Sequence, residues 1–383
     1  MLATDGNFYG ATISGGGSTG QGAIFKLSQK GVLTTLYRFC TLANCADGSS
    51  PNGSLIEATD RNLYGTTMNG GTHGFGTVFK ITLSGTLTTL HSFSASEGDR
   101  PGAGLVQGTD GSLYGTTSNG GLYSCGEPGC GSIYKITPGG ALTTLHLFCT
   151  EANCADGAVT LAPLVQANDG NLYGTTINGG AHGSGTVFEI ALGGRFRVVY
   201  DFCAQAYCAD GSNPEGGLLQ ATDGNLYGTT VLGGDPTCSS GTCGTIFKIA
   251  AAAGTFTTLH SFEDANGESP LAGLMQATNG ILYGTTQYGG THLDGTIFSL
   301  DVGLGPFVTL TRDFGKVGST IGVLGQSFTG TTSVSLNGTP ATFTAQSDTY
   351  LTATVPTGAT TGFVTVATPS GTLTSTKKFH VKP

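Results

Sequence analysis

Ten cysteines fall into five pairs at one spacing, C-x4-C: Cys40/Cys45, Cys125/Cys130, Cys149/Cys154, Cys203/Cys208 and Cys238/Cys243. Paired cysteines serve as a metal claw, a redox couple or a structural staple. A zinc claw needs two pairs brought together, usually at C-x2-C spacing. Here each pair occupies its own loop, and three share one form: "FCTLANCADG", "FCTEANCADG" and "FCAQAYCADG". An even count in a fixed pattern reads as a disulfide framework, hence as a protein of an oxidising compartment. We expect each pair to close locally and no metal at these sulfurs.

The acidic residues follow the same loops. Asp47, Asp156 and Asp210 each follow Cys-Ala and precede Gly, while Glu97 and Asn266 hold the matching place elsewhere. An Asx side chain before glycine commonly caps its own turn. A set of such carboxylates could also bind a sugar or a cation. No cofactor is expected, with Ca2+ at these acidic loops as the alternative.

His73, His182 and His292 sit at matching places in three other loops. A three-histidine metal site would need those loops to converge, and we read them as solvent-facing ligand contacts. His91, His146 and His260 recur as "LHSF" or "LHLF" and read as packing residues of an outer strand. Tyr123, Tyr207 and Tyr288, with Phe75, could stack on sugar rings, since an aromatic offers an apolar face and, in tyrosine, a polar handle. If the protein is catalytic, Asp99, Asp235, Asp294 and His292 are the acid/base candidates, being loop-borne and mostly unique to their copy. The glycine-rich "GGGSTG" at Gly15–Gly20 matches a dinucleotide fingerprint and a nucleophile elbow in letters only. Both motifs need a helix after the turn, and the next element is the strand-like "AIFKLS".

These loops hang on a repeat. "LYGTT", or "FYGAT" in the first copy, recurs with its tyrosine at Tyr9, Tyr64, Tyr114, Tyr173, Tyr227 and Tyr283. A period of roughly 50–60 residues marks a repeat architecture. Each unit holds four apolar runs, which we label A to D; in the second copy they are "SLIEATD", "NLYGTT", "GTVFKIT" and "TLTTLHSF". Asp-Gly-Asn joins A to B, a strong hairpin signal because both turn residues tolerate positive φ. Six such units predict an all-β fold: a six-bladed β-propeller of four-stranded antiparallel blades over residues 1–305. The A–B and C–D turns are short and uniform. The B–C loops and D–A crossovers are long and varied, lie at the other end, and carry every cysteine pair, so any ligand face is expected there. Residues 306–383 alternate apolar and polar with frequent turns, which predicts a small C-terminal immunoglobulin-like β-sandwich.

Composition bounds the rest. Glycine is 66 of 383 residues, tryptophan is absent, charged residues are 10 %, and the net charge is −9. That excludes a basic nucleic-acid binder, and no stretch is apolar enough for a membrane helix. The first copy lacks most of strand A, and the chain opens on "MLATDGNFYG" rather than a signal peptide. We therefore read it as N-terminally incomplete relative to an exported protein.

The repeat, seen as "ATDGNLYGTT" from Ala221, "GTVFKI" from Gly76 and "LTTLHSF" from Leu87, resembles the bacterial GloVer tandem repeat across residues 1–305. More loosely it resembles NHL-type propeller units. "GKVGSTIGVLGQSF", "VSLNGTPATF", "LTATVPTGATTGFVTV" and "KFHV" are similar to IPT/TIG domains, which are immunoglobulin-like. The first resemblance implies an exported or surface-anchored protein; the second implies a spacer or a self-association module in the C-terminal domain. Neither brings a catalytic motif. The expected function is an exported or cell-surface binding or adhesion protein whose B–C and D–A loops present a face for carbohydrate, such as a polysaccharide or surface glycan. The alternatives are a polysaccharide-active hydrolase or lyase using the same face, and a structural protein of the envelope surface.

Overall fold

A computed structural model describes residues 1–16, 20–121, 129–238, 243–251 and 253–382. The chain is all-β, with repeated antiparallel sheets, and divides into two compact units. One comprises Met1–Gln220, Gly224–Leu274 and Thr285–Ile297; the other comprises Ala221–Asp223, Met275–Gly284 and Phe298–Pro383.

The second to fifth repeats each form a four-stranded sheet in the order A-B-C-D. In the fourth repeat these strands are Val165–Gln166, Leu172–Thr176, Thr186–Ile190 and Phe196–Asp201. The first and sixth sheets have three strands. In the first, Leu2 makes only a single bridge to Phe8 in place of strand A. In the sixth, the residues after Ile297–Leu300 run "DVGLGPF", with glycines where strand D would alternate. Strand A is also shorter than its sequence suggests. It is two residues long in the second to sixth copies, because the A–B turn already begins at the next residue, as where Arg61 N–H donates to Ala58 C=O. The sheets are separate and open, rather than closed on one another.

Strand B is buried on both faces, which is why "LYGTT" has no polar side. Its leucine packs toward the preceding repeat and its tyrosine toward the next. Tyr9, Ile24 and Phe39 thus meet Leu63, Phe79 and Ile81, and Tyr173, Val187 and Phe202 meet Leu226, Phe247 and Ile249. The glycine of the motif is required by contact. A Cβ on Gly174 would stand 2.5 Å from Cζ of Phe188, so the phenyl ring lies directly across strand B.

Two polar devices recur within this apolar stack. The aspartate of the A–B turn accepts the tyrosine hydroxyl of strand B: Asp5–Tyr9, Asp60–Tyr64 and Asp169–Tyr173 at 2.7 Å and Asp110–Tyr114 at 2.9 Å. Burial opposes ionisation of Asp5, yet bonds from Tyr9, Asn7 and Lys26 hold its carboxyl down to about 2. The second device is a glutamine clasp between repeats. Thr59 N–H donates to Gln107 Oε1 at 3.0 Å, and Gln107 Nε2 donates to Gly111 C=O at 3.0 Å. Thr109 with Gln166 and Asn168 with Gln220 repeat it.

In the second unit, two four-stranded sheets share one core. Thr309–Leu310, Thr320–Leu324, Tyr350–Thr354 and Phe343–Ser347 form the first; Thr339–Ala341, Ser333–Leu336, Val364–Thr368 and Gly371–Thr374 form the second. Ile321, Val323 and Leu351 of one meet Val334, Val364 and Val366 of the other. Phe314–Lys316 pairs in parallel with His380–Lys382.

Candidate functional site

The D–A crossovers and B–C loops meet at one end of the repeats. Ser49 bridges Asn69, Asp99 bridges Asn119, Ala158 bridges Asn178, Ser212 bridges Leu232 and Glu268 bridges Tyr288. Each crossover is therefore tied to the loop of the repeat it enters.

Three crossovers are built alike around a disulfide: Cys40–Cys45, Cys149–Cys154 and Cys203–Cys208. Each carries a short turn, Ala43–Cys45, Ala152–Cys154 or Ala206–Cys208, whose middle residue takes a left-handed backbone. That residue is Asn44, Asn153 or Tyr207, at φ 55°, 58° and 59°. Non-glycine residues rarely sit there, and the surrounding structure must hold them. Cys238–Cys243 closes a fourth pair in a B–C loop. Cys125 and Tyr123 lie outside the described residues, while Cys130 is disulfide-bonded. Short loops of this kind contribute at most roughly 2–3 kcal/mol each, so shape is the larger gift. Mass spectrometry without reductant is expected to find each of the four pairs closed within its own loop; a free thiol or a cross-loop pair among these eight residues would contradict the structure.

The acidic residues of these loops face inward. Asp47 accepts from Tyr37 Oη at 2.8 Å, Thr41 N–H at 2.9 Å and Thr41 Oγ1 at 2.8 Å. Asp156 accepts from His146 Nε2 at 3.1 Å, Thr150 N–H at 3.1 Å and Thr150 Oγ1 at 2.9 Å. Asp210 accepts from Tyr200 Oη at 2.8 Å and Ala204 N–H at 3.0 Å. All three are buried. Glu97 fills the same place with His91 and Ser94. Burial alone would raise these carboxyls, but the donors outweigh it and hold Asp47, Asp156 and Glu97 below their ordinary values. The strand-D tyrosine or histidine and the crossover acid thus form one clamp.

The other candidates are scattered. His73, His182 and His292 are exposed, and Thr72 and Thr291 sit within hydrogen-bond distance of His73 and His292 Nδ1. Among the described residues, the groups close enough to hold a metal are Cys130 with Cys149 and Cys154, and Cys238 with Cys243 and Asp264; no histidine is among them. Asp235 accepts Thr237 N–H at 2.8 Å, capping its own turn, and Asp294 is exposed. Asp99 is different: burial raises its carboxyl, with Arg100 offsetting part of the effect. Glu215, in the crossover into the fifth repeat, is also raised by burial. Its "NPEGG" context gives no sequence signal of burial. Tyr207 stands out among the aromatics at 85 % exposed, on the tip of its stapled loop, and Tyr288 is exposed beside Glu268.

Tandem all-β repeats with disulfide-stapled crossovers define a repeat-built protein whose variable loops gather at one end. The chain belongs to the Gloeobacter/Verrucomicrobia repeat family, whose model matches residues 1–150 and 123–355. No curated protein matches the sequence. Among solved structures, a fungal alcohol oxidase of the AA5 family in complex with copper has a TM-score of 0.51 at 15 % identity, covering 100 % of this chain and 84 % of that one. A gluconolactonase from Xanthomonas campestris has a TM-score of 0.40 at 14 % identity, covering 70 % and 76 %. TolB from Acinetobacter baumannii has 0.41 at 13 % identity, covering 78 % and 64 %. The neighbours have propeller-like folds, and at these identities the likeness is of fold alone. The four disulfides fit a secreted or extracellular protein. Among the described residues, no helix is long and apolar enough to cross a membrane.

Proposed function

We propose that the protein is an exported or surface-bound carbohydrate-binding protein. Six propeller-like blades present the ligand face, and the C-terminal unit, read as immunoglobulin-like, serves as a spacer. The observation that carries this reading is Tyr207. Its ring is 85 % exposed, its backbone is held left-handed, and its loop is closed by Cys203–Cys208 over the buried Asp210. An aromatic carried on a backbone already fixed spares the loop-ordering cost of stacking against the apolar face of a sugar. The inward carboxylates support binding over catalysis, since they shape the loops instead of facing solvent.

Oxidised protein incubated with a panel of polysaccharides should retain at least one of them without new reducing or unsaturated ends. Tyr207→Ala should weaken that retention roughly tenfold, the equivalent of one lost stacking contact. No retention across the panel, or retention indifferent to Tyr207→Ala, would sink the reading. One observation favours a second, hydrolytic reading: the raised carboxyl of Asp99, a property general acids need. Products that appear with wild type and vanish in Asp99→Asn would establish it.

A further inference from the structure

The third repeat is the one whose B–C loop and following crossover both carry a C-x4-C pair, Cys125/Cys130 and Cys149/Cys154. The backbone sets Cys130 against both ends of that crossover. Phe148 N–H, just before Cys149, donates to Gly131 C=O at 3.1 Å. Val159 N–H, past the turn at Asp156, donates to Cys130 C=O at 2.9 Å. The same two bonds recur in other repeats, where Gln21, Phe75 or Ser184 holds the place of Cys130.

The consequence is a cluster of three sulfurs from two loops. The Sγ atoms of Cys130, Cys149 and Cys154 all lie within 4.8 Å of one another. Cys130 is buried and the other two are half-buried. Cys149 and Cys154 are bonded to each other. Cys130 is disulfide-bonded as well, and Cys125 is the cysteine that its C-x4-C pair supplies. The other sulfur cluster among the described residues, Cys238 with Cys243 and Asp264, holds the sulfurs of a single loop. Exchange between disulfides needs a thiolate within reach of a bonded sulfur, and the third repeat is built to supply that contact.

We propose that these two pairs form one thiol–disulfide exchange site, with an external thiol as its substrate. The external thiolate attacks Cys125, forms a mixed disulfide there and releases Cys130 as a thiolate. Cys130 then attacks Cys149 or Cys154. A disulfide closes between the B–C loop and the crossover, and the other cysteine of the crossover leaves as a thiolate. Two disulfides and one thiolate enter, and two disulfides and one thiolate leave, so no further oxidant or reductant is consumed. The crossover gives up the staple that closes its loop around the left-handed Asn153. Without an external thiol there is no thiolate to attack, and each pair stays within its own loop.

Cys125→Ser tests this with no added thiol, since it leaves Cys130 to act as the nucleophile. The full-length oxidised variant is held at mildly alkaline pH, then unfolded and alkylated in mild acid, where exchange stops. Peptide mapping locates the label. It should fall on Cys149 or Cys154, with Cys130 joined to the other. That transfer should be at least ~tenfold more frequent than transfer to any other loop in the control Cys45→Ser. The control leaves Cys40 as a thiol in a crossover of the same form, where Gln21 stands in place of Cys130. Ser184→Cys is a second test, because position 184 bonds the crossover of Cys203–Cys208 as Cys130 bonds its own. Its label should spread to Cys203 or Cys208. Circular dichroism shows which variants fold. Label confined to Cys130 in folded Cys125→Ser overturns the proposal. If that variant does not fold, label confined to the introduced cysteine of Ser184→Cys overturns it. Equal transfer in Cys45→Ser overturns it too, because contact between the two pairs would then not direct the exchange.

Discussion

Phe188→Ala is expected to destabilise the repeat array by about 3–5 kcal/mol, the usual cost of truncating a fully buried aromatic. The ring is central to the third-to-fourth boundary. It lies 5.4 Å from the ring of Phe148 and 5.5 Å from that of Phe196, and it covers strand B at Gly174. Collapse cannot fill the space, since strands B and C fix the backbone around it through five paired residues. The matched control is Phe25→Ala. Phe25 holds the same register in the first repeat and lies across Gly10, where a Cβ would be 2.5 Å from its Cζ. It is only half-buried. Its truncation should cost less than half as much. Denaturant titrations of both variants, with m checked for constancy, measure the pair. Equal costs would mean that Phe25 is as well covered in solution as Phe188, and a cost for Phe188→Ala near 1 kcal/mol would mean that the repeat boundaries are not the packed cores described.

What the sequence revealed follows how local each feature is. Strands B, C and D were legible because their apolar runs and turn residues lie within a few positions of one another. Strand A was over-read: "SLIEATD" carries the apolar Leu55, Ile56 and Ala58, but only Ile56–Glu57 pairs before the turn at Ala58 takes over. The disulfides were legible from even counting alone. The acidic loops were half legible. Their Asx-Gly pattern pointed to turn capping, while the partner ten residues upstream, Tyr37, His146 or Tyr200, was hidden in strand D. The strand-D histidines are thus not only packing residues: His146 of "LHLF" stacks flat on Phe196 at 3.8 Å between ring centres and also bonds Asp156. The glutamine clasp was missed although its signal was present, as Gln107, Gln166, Gln220 and Gln276 stand at one place in successive copies. A residue that reaches from one repeat to the next has no meaning until the repeats are stacked. The raised carboxyl of Glu215 escaped as well, since nothing in "NPEGG" signals that burial would raise it.

The clamp under the crossovers makes the second large effect one of pH. Asp156→Ala should cost about 2–3 kcal/mol near neutral pH, because it removes a buried, charged acceptor of bonds from Thr150 N–H, Thr150 Oγ1 and the half-buried His146. The pH dependence has a definite sign. Burial would raise the Asp156 carboxyl, but its donors hold the folded value below the ordinary one. A carboxyl lowered by folding contributes in full above its unfolded value of about 3.9, and the contribution fades as pH falls through the folded value. Asp47 and Glu97 are shifted in the same direction, so all three clamps weaken together in acid. Thermal melts of wild type and Asp156→Ala should therefore differ most at neutral pH and draw together below roughly pH 3. Asp156→Asn keeps the volume but turns an amide toward Thr150 N–H, so it should lose stability at neutral pH and show the same shallow acid dependence as alanine. A gap between wild type and Asp156→Ala that persists undiminished into strong acid would mean that the ionised carboxylate is not what holds the loop. The loop also sets the backbone of Asn153, as its counterpart sets that of Tyr207. The matching Asp210→Ala variant should then loosen the Tyr207 tip and reduce glycan retention together with stability, joining the structural clamp to the surface it shapes.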